Sequence, residues 1–400
     1  MCRAAAQLFF DYIRQYRYQV GASPLRWSSG RGTNLGFAVP HLALLTGGLV
    51  TFVICLTIVL TKGLHGQHTL DSESGVQKIH QEPTPRVGGF AIFIGLAISW
   101  IFTPPLVATH LSAMLLAAIP ALFAGTLEDL TKRDRAGERL IATFLSGVLA
   151  WWLTGVSLTR VDIPFVDAVL AVTPISVIFT GFAVAGVANA VNIIDGLNGL
   201  ASGVSILCLS ALGFIAFRVG DIEMAKLCFI LMAAILGFML LNYPKGKLFL
   251  GDGGAYLLGF LLGWTAVMIA MRNPGLSPWG PLLACGYPII EVLFSMARRR
   301  ARALKLGEPD RLHLHSLLWA RVSRKWFSNA PPVTQNAWVL PLILAYAAVP
   351  SVLAVIFFNH TPALIVAFFV SAYLYALIYA RLIHFSWTIP KLRLVKSLKQ

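Results

Sequence analysis

Eleven long apolar runs dominate this chain. They lie at about 37–60, 88–104, 111–127, 140–155, 167–187, 199–217, 225–242, 254–271, 279–297, 337–358 and 361–380. A helix needs about 20 mostly apolar residues to cross a bilayer. The runs are continuous and show no period-2 alternation, so they predict membrane helices rather than a barrel. Composition agrees. Charged residues make up 12% of the 400 residues, against roughly 25% in a soluble domain. That is too few to cover a water-facing surface, and it excludes disorder and a nucleic-acid module. The expected fold is all-α and polytopic, with about eleven transmembrane helices. The five cysteines (Cys2, Cys55, Cys208, Cys228 and Cys285) form no C-x-x-C pair and read as small apolar residues.

Charge sets the expected sidedness. The net charge is +15. Segments 61–87, 128–139, 243–253, 298–336 and 381–400 share one side and hold 23 Lys and Arg. The opposite loops hold four: Arg160, Arg218, Lys226 and Arg272. Positive residues collect on the cytoplasmic side, so the first group is expected there, together with the C-terminus. Residues 1–34 carry five Arg yet fall outside by this count. They read as a basic extension, with a later native start as the alternative. Residues 35–385 form the multi-pass domain and 386–400 a basic cytoplasmic tail.

Five polar clusters sit in the expected cytoplasmic loops, whereas the external loops look short and plain. Pro83-Thr84-Pro85-Arg86-Val87-Gly88-Gly89 is either a simple loop-to-helix turn or a close approach for phosphate at a helix start. Glu128 and Asp129 are adjacent carboxylates, followed by Lys132. They are hard donors suited to Mg²⁺ or to proton abstraction, or else part of a solvated loop. Asn189, Asn192, Asp195 and Asn198 interrupt a long apolar run, where each would be costly without a partner. Phe249-Leu250-Gly251-Asp252-Gly253-Gly254 opens a helix with one carboxylate among glycines, suited to a metal–diphosphate unit. Arg298-Arg299-Arg300 reads as a topology signal, with anionic lipid headgroups as the alternative partner. Beyond it lie Arg311, His313 and His315, placed for phosphate contact because two His are too few ligands for a metal. Glu291, within the ninth run near its cytoplasmic end, is either paired or functional.

Taken in order, the motifs Pro-x-Arg-x-Gly-Gly, an acidic pair with Lys132, Asn-x-x-Asn-x-x-Asp-Gly-x-Asn-Gly, Gly-Asp-x-Gly and Asp-Arg-x-His-x-His resemble the polyprenyl-phosphate N-acetylhexosamine-1-phosphate transferase superfamily. The resemblance covers roughly residues 40–385. It is closest to the branch that primes bacterial O-antigen. It implies an enzyme of the bacterial inner membrane that moves an N-acetylamino-sugar 1-phosphate from a UDP-sugar, by default UDP-GlcNAc, to undecaprenyl phosphate and releases UMP. It implies Mg²⁺, with Mn²⁺ as the other candidate ion, and leaves homodimer formation open. By position, Asp252 and Asp129 match metal ligands. Glu128, Asp129, Lys132, Asp195, His313 and His315 match catalytic positions. Lys78, Arg86, Asn189, Asn192, Asn198, Phe249 and Arg311 match substrate-binding positions, with Phe249 the aromatic that stacks on uracil. Four residues depart from the common pattern: Glu128 and Glu291 replace Asp, Asn198 stands where Asp is frequent, and Ser316 replaces a third His. The last weakens the alternative of a peptidoglycan phospho-MurNAc-pentapeptide transferase. A multi-pass secondary transporter is the alternative from another class.

Overall fold

The structure is a computed structural model and describes residues 40–64, 84–131, 136–301 and 312–384. Lys78, Lys132, Arg311, the 1–34 extension and the 386–400 tail lie outside these residues. Every predicted apolar run contains helix. In chain order the helices are α1 (His41–Leu60), α2 (Gly88–Ser99), α3 (Pro105–Thr131), α4 (Ala136–Thr154), α5 (Pro164–Leu170), α6 (Thr173–Ile194), α7 (Leu200–Arg218) and α8 (Ile222–Asn242). They continue as α9 (Gly251–Arg272), α10 (Trp279–Ala284), α11 (Gly286–Ala301), α12 (Leu314–Leu318), α13 (Arg324–Trp326), α14 (Pro332–Ala337), α15 (Val339–Ile356) and α16 (Thr361–His384). The chain is a multi-pass, all-helical membrane protein.

The eleven expected spans are not all alike. Among the described residues, eight helical stretches are long and apolar enough to cross a bilayer: α1, α3, α6, α7, α8, α9, the α14–α15 run and α16. Residues 88–102 form a shorter apolar helix. The run at 279–297 breaks at Cys285 into α10 and α11. The run at 167–187 is also divided. It closes α5 at Leu170 and restarts at Thr173, where Pro174 suits the first turn of a new helix.

α9 is the central post. In its most apolar window 89% of residues are buried, against 22% in α1 and 28% in α16, which therefore face lipid. α9 packs on α3, α6 and α2. Small residues make this possible, because membrane helices pack by close backbone approach. A Cβ at Gly89 of α2 would lie 2.2 Å from the Cα of Gly254, and one at Gly259 would lie 2.4 Å from the Cα of Ala188.

The loops expected to be plain are not. At the Arg272 end of α9, the Arg272 guanidinium meets Asp221 (Nε–Oδ2 2.9 Å) and Glu223 (Nη2–Oε2 2.9 Å). His110 Nε2 lies 3.4 Å from Glu223 Oε2 and 3.2 Å from Arg272 Nη1. Asn273 donates to Asp221 (3.1 Å). Beside this network, Arg160 donates to the carbonyls of Ala270 (3.2 Å), Asn273 (3.1 Å) and Leu276 (2.7 Å), closing the C-terminus of α9. A cation suits those carbonyls. The partners lie up to 162 residues apart in sequence, so no local motif announces them.

Candidate active site

The other end of α9 gathers the polar clusters. Residues 84–89 run against residues 249–250. Phe249 N–H donates to the Pro85 carbonyl (2.8 Å), Gly88 N–H to Phe249 (3.0 Å) and Gly89 N–H to Leu250 (3.0 Å). This pairing carries Arg86 over the start of α9. Gly251 begins the helix at φ +77°, a conformation that disfavours any side chain. Its space is also taken: a Cβ there would lie 2.4 Å from the Arg86 carbonyl oxygen and 2.7 Å from Asp129 Oδ2.

Asp129 reaches this point from the last turn of α3, where its Oδ2 accepts from Gly253 N–H (3.2 Å). Asp252 lies in the first turn of α9. Arg86 stands between the two carboxylates, with Nε 3.6 Å from Asp129 Oδ1 and Nη2 3.8 Å from Asp252 Oδ1. Asn192, in the last turn of α6, donates to Asp252 Oδ1 (2.9 Å) and accepts from the Tyr256 hydroxyl (3.2 Å). Asp195 follows directly. Burial pushes its carboxyl up to about 7; Arg86 opposes this, while Asp252 and Asp129 add to it. Glu128 turns to Arg139 (Oε1–Nη1 2.9 Å) at the start of α4. The residues expected in loops therefore ride on helix ends, which fixes them more firmly than loops would.

Among the described residues, charge at this end does not balance. Glu128, Asp129, Asp195 and Asp252 face two guanidinium groups among the described residues, Arg86 and Arg139. Asp129 Oδ1 is buried and makes no hydrogen bond. A hard divalent cation fits such a donor set. Among the described residues no three His, Cys, Asp or Glu form a ready cage. Mg²⁺ binds through one or two carboxylates and takes its remaining ligands from water and phosphate. Asp129 and Asp252 are the residues that would hold it.

The histidines join from the far end of the sequence. A Cβ on Gly196 would lie 2.7 Å from His315 Nε2, so this ring rests against the residue after Asp195. His313 and His315 stack in parallel, with centroids 5.5 Å apart and planes within 2°. His313 precedes α12 as its N-cap and His315 lies in its first turn. Burial pushes the His315 imidazole down to about 4, with Glu291 opposing and His313 adding to the shift. Glu291 is paired: its Oε1 lies 3.0 Å from His313 Nδ1.

Two expected residues have protein partners away from Asp252. Asn198 is buried, its N–H donates to Asn336 (2.9 Å) and its amide to the Pro244 carbonyl (3.0 Å). It ties loops together. Asn189 donates to the Ala185 carbonyl (2.8 Å) within α6 and lines an apolar cavity of about 420 Å³ with Phe182, Val267, Ile289 and Leu293. Phe249 is half-buried at the backbone pairing described above. The sequence reading missed Arg139 and Tyr256. Arg139 was counted only as a topology charge, and Tyr256 lies within an apolar run where a tyrosine draws no notice.

Residues 111–270 match glycosyl transferase family 4. The matched stretch holds Glu128, Asp129, Asn192, Asp195 and Asp252, whereas Arg86, His313 and His315 come to it from either side. A probable undecaprenyl-phosphate N-acetylglucosaminyl 1-phosphate transferase of Bacillus subtilis (strain 168) is 28% identical over 245 residues, which covers 61% of this chain and 68% of that protein. The undecaprenyl-phosphate alpha-N-acetylglucosaminyl 1-phosphate transferase of Yersinia pestis is 28% identical over 248 residues, and that of Salmonella typhi 29% over 250. Each alignment covers 60% of this chain and 67% of the relative. The superfamily resemblance read from the five clusters is borne out, and the chain stands with phosphotransferase enzymes rather than with transporters.

Proposed function

We propose that this protein transfers an N-acetylamino-sugar 1-phosphate from a UDP-sugar to undecaprenyl phosphate in a Mg²⁺-dependent reaction, with UDP-GlcNAc as the first donor to test. The observation that carries the reading is the surplus, among the described residues, of carboxylates around Asp129, Asp195 and Asp252 at the Gly251 end of α9. Two anionic substrates have no reason to approach such a cluster unless a cation joins them there. Mg²⁺, when bound, offsets phosphate charge and polarises the phosphorus under attack.

The chain's own residues do the rest. Arg86 lies between the two acidic ligands and is placed to neutralise a phosphate oxygen as well. Asp129, anchored by Gly253 N–H, holds a fixed carboxylate oxygen at the centre. Asp195 has a proton affinity near neutral pH, which suits a group that exchanges a proton with the lipid phosphate. His313 and His315 offer ring nitrogens for the diphosphate. An oxygen of the lipid phosphate attacks the sugar-linked phosphorus, the bond to the uridine-side phosphate breaks, and UMP leaves with the displaced charge. The 420 Å³ apolar cavity beside Asn189 suits a prenyl chain. The excess of Lys and Arg favours a cytoplasmic position for this end, where UDP-sugars occur, and an inner-membrane location. Priming of O-antigen or another surface glycan follows from the branch resemblance. Ser316 in place of a third His speaks against the peptidoglycan alternative.

The test is direct. Purified protein is incubated with undecaprenyl phosphate, Mg²⁺ and a panel of UDP-amino-sugars, and UMP is measured. UMP release with UDP-GlcNAc, dependent on the lipid, is expected. Absence of UMP with every donor removes the reading.

A further inference from the structure

From sequence, Arg298 sets topology or meets anionic lipid headgroups, and Glu291 is either paired or functional. Their geometry gives both the same task. They lie seven residues apart on α11, two turns along one face. Glu291 is fully buried, and its Oε1 faces His313 Nδ1 at 3.0 Å and the Leu314 N–H at 3.4 Å. Arg298 Nη1 donates to the Leu312 carbonyl and to the Tyr379 hydroxyl (2.8 Å), and its Nη2 donates to Ser295 Oγ (3.2 Å). The guanidinium also lies over the Tyr379 ring, 5.4 Å from its centroid. Residues 312–314 are therefore gripped on both sides of His313.

We infer that Glu291 and Arg298 are positioning residues that fix the ring and tautomer of His313 for its contact with the substrate phosphates. The inference rests on the function proposed above. A carboxylate only accepts, so the His313 proton resides on Nδ1 and leaves Nε2 for the substrate. Stability alone does not account for Glu291. A buried carboxylate is costly, and an apolar side chain of similar size packs as well or better. What the carboxylate adds is a fixed ring, as the partners behind metal-bound histidines do. The parallel stack passes this orientation to His315.

Two measurements test this. The first is kinetic. Glu291→Leu is expected to lower kcat about 100-fold, with KM for both substrates within about threefold. Glu291→Gln keeps an accepting oxygen and is expected to recover most of that loss, to within about tenfold of wild type. Arg298→Lys, which loses the guanidinium fork, is expected to lower kcat about tenfold. Wild-type kcat in a folded Glu291→Leu protein overturns the inference, as does a loss that Gln does not rescue. The second needs no substrate. In ¹⁵N-histidine NMR of the detergent-solubilised protein, with His313 assigned through His313→Gln, wild type is expected to show the Nδ1–H tautomer and Glu291→Leu to lose it. A mixed tautomer in wild type overturns the inference. If wild type releases no UMP, the proposed function fails, while the NMR result still decides whether Glu291 sets the His313 ring.

Discussion

The two ends of α9 are built from the same residue types in opposite ways. At the Arg272 end, the guanidinium meets Asp221 and Glu223, Asn273 and His110 complete the set, and Arg160 covers the last carbonyls. Every charge there has a partner within the protein. At the Asp252 end, carboxylates crowd one another, share Arg86 at 3.6 and 3.8 Å, and leave Asp129 Oδ1 without a hydrogen bond. A completed network is a clasp, which holds the helix in place. An incomplete one is a socket, which waits for charge from outside. Polarity alone would rank both as sites; the balance of partners separates them.

The largest effect that separates them is on turnover. Asp252→Asn should lower UMP release about 10⁴-fold or more, about 5 kcal/mol in the barrier, without lowering the melting temperature, because it relieves repulsion. It should also abolish any rise in melting temperature that Mg²⁺ gives to wild type. A variant that keeps its rate removes Asp252 as a metal ligand. The reverse pattern is expected at the clasp. Arg272→Met removes the cation shared by Asp221 and Glu223, leaving them Asn273 and His110, and should cost about 3 kcal/mol of stability, while the folded fraction keeps its kcat within about twofold. If it instead loses turnover at unchanged stability, the division into clasp and socket is wrong.

The contrast also shows what was legible beforehand. The apolar runs reveal the helices because lipid demands continuous apolar sequence. The Asp252 end was visible because each polar group interrupts such a run, and the family order ties the clusters together. The Arg272 end was not. His110, Asp221, Glu223 and Arg272 each look unremarkable alone, and only packing brings them together. The partners of Asn189 and Asn198 were hidden for a related reason: nearness in sequence to Asn192 and Asp195 does not tell which way a side chain faces. The Glu291–His313 pair spans 22 residues and two helices, so neither residue's spacing names the other.

Two smaller effects sharpen the picture of the socket. His315 has an imidazole pushed down to about 4 by burial, against about 6.5 in an unfolded chain. The unfolded state therefore takes up the proton first. Stability is full above about pH 6.5 and falls as pH drops toward 4, by at most about 3 kcal/mol. Melting temperature across that window should decline less steeply in His315→Gln; an unchanged slope removes His315 as the cause. Last, Gly251→Ala should cost about 2 kcal/mol for its positive φ and lower turnover by displacing Arg86. Calorimetry and the UMP assay check both. Normal activity there would mean that the start of α9 tolerates movement.

The burial of α9 bears on how this protein meets different membranes. Lipid contact falls on α1 and α16, which expose most of their surface, and hardly at all on the helix that carries Asp252. A change in bilayer thickness or acyl composition works through tilt and mismatch at lipid-facing helices. Those helices can adjust while the central post, wedged backbone to backbone against α2, α3 and α6, stays in register. The chemistry of the enzyme is thereby insulated from the solvent it is dissolved in.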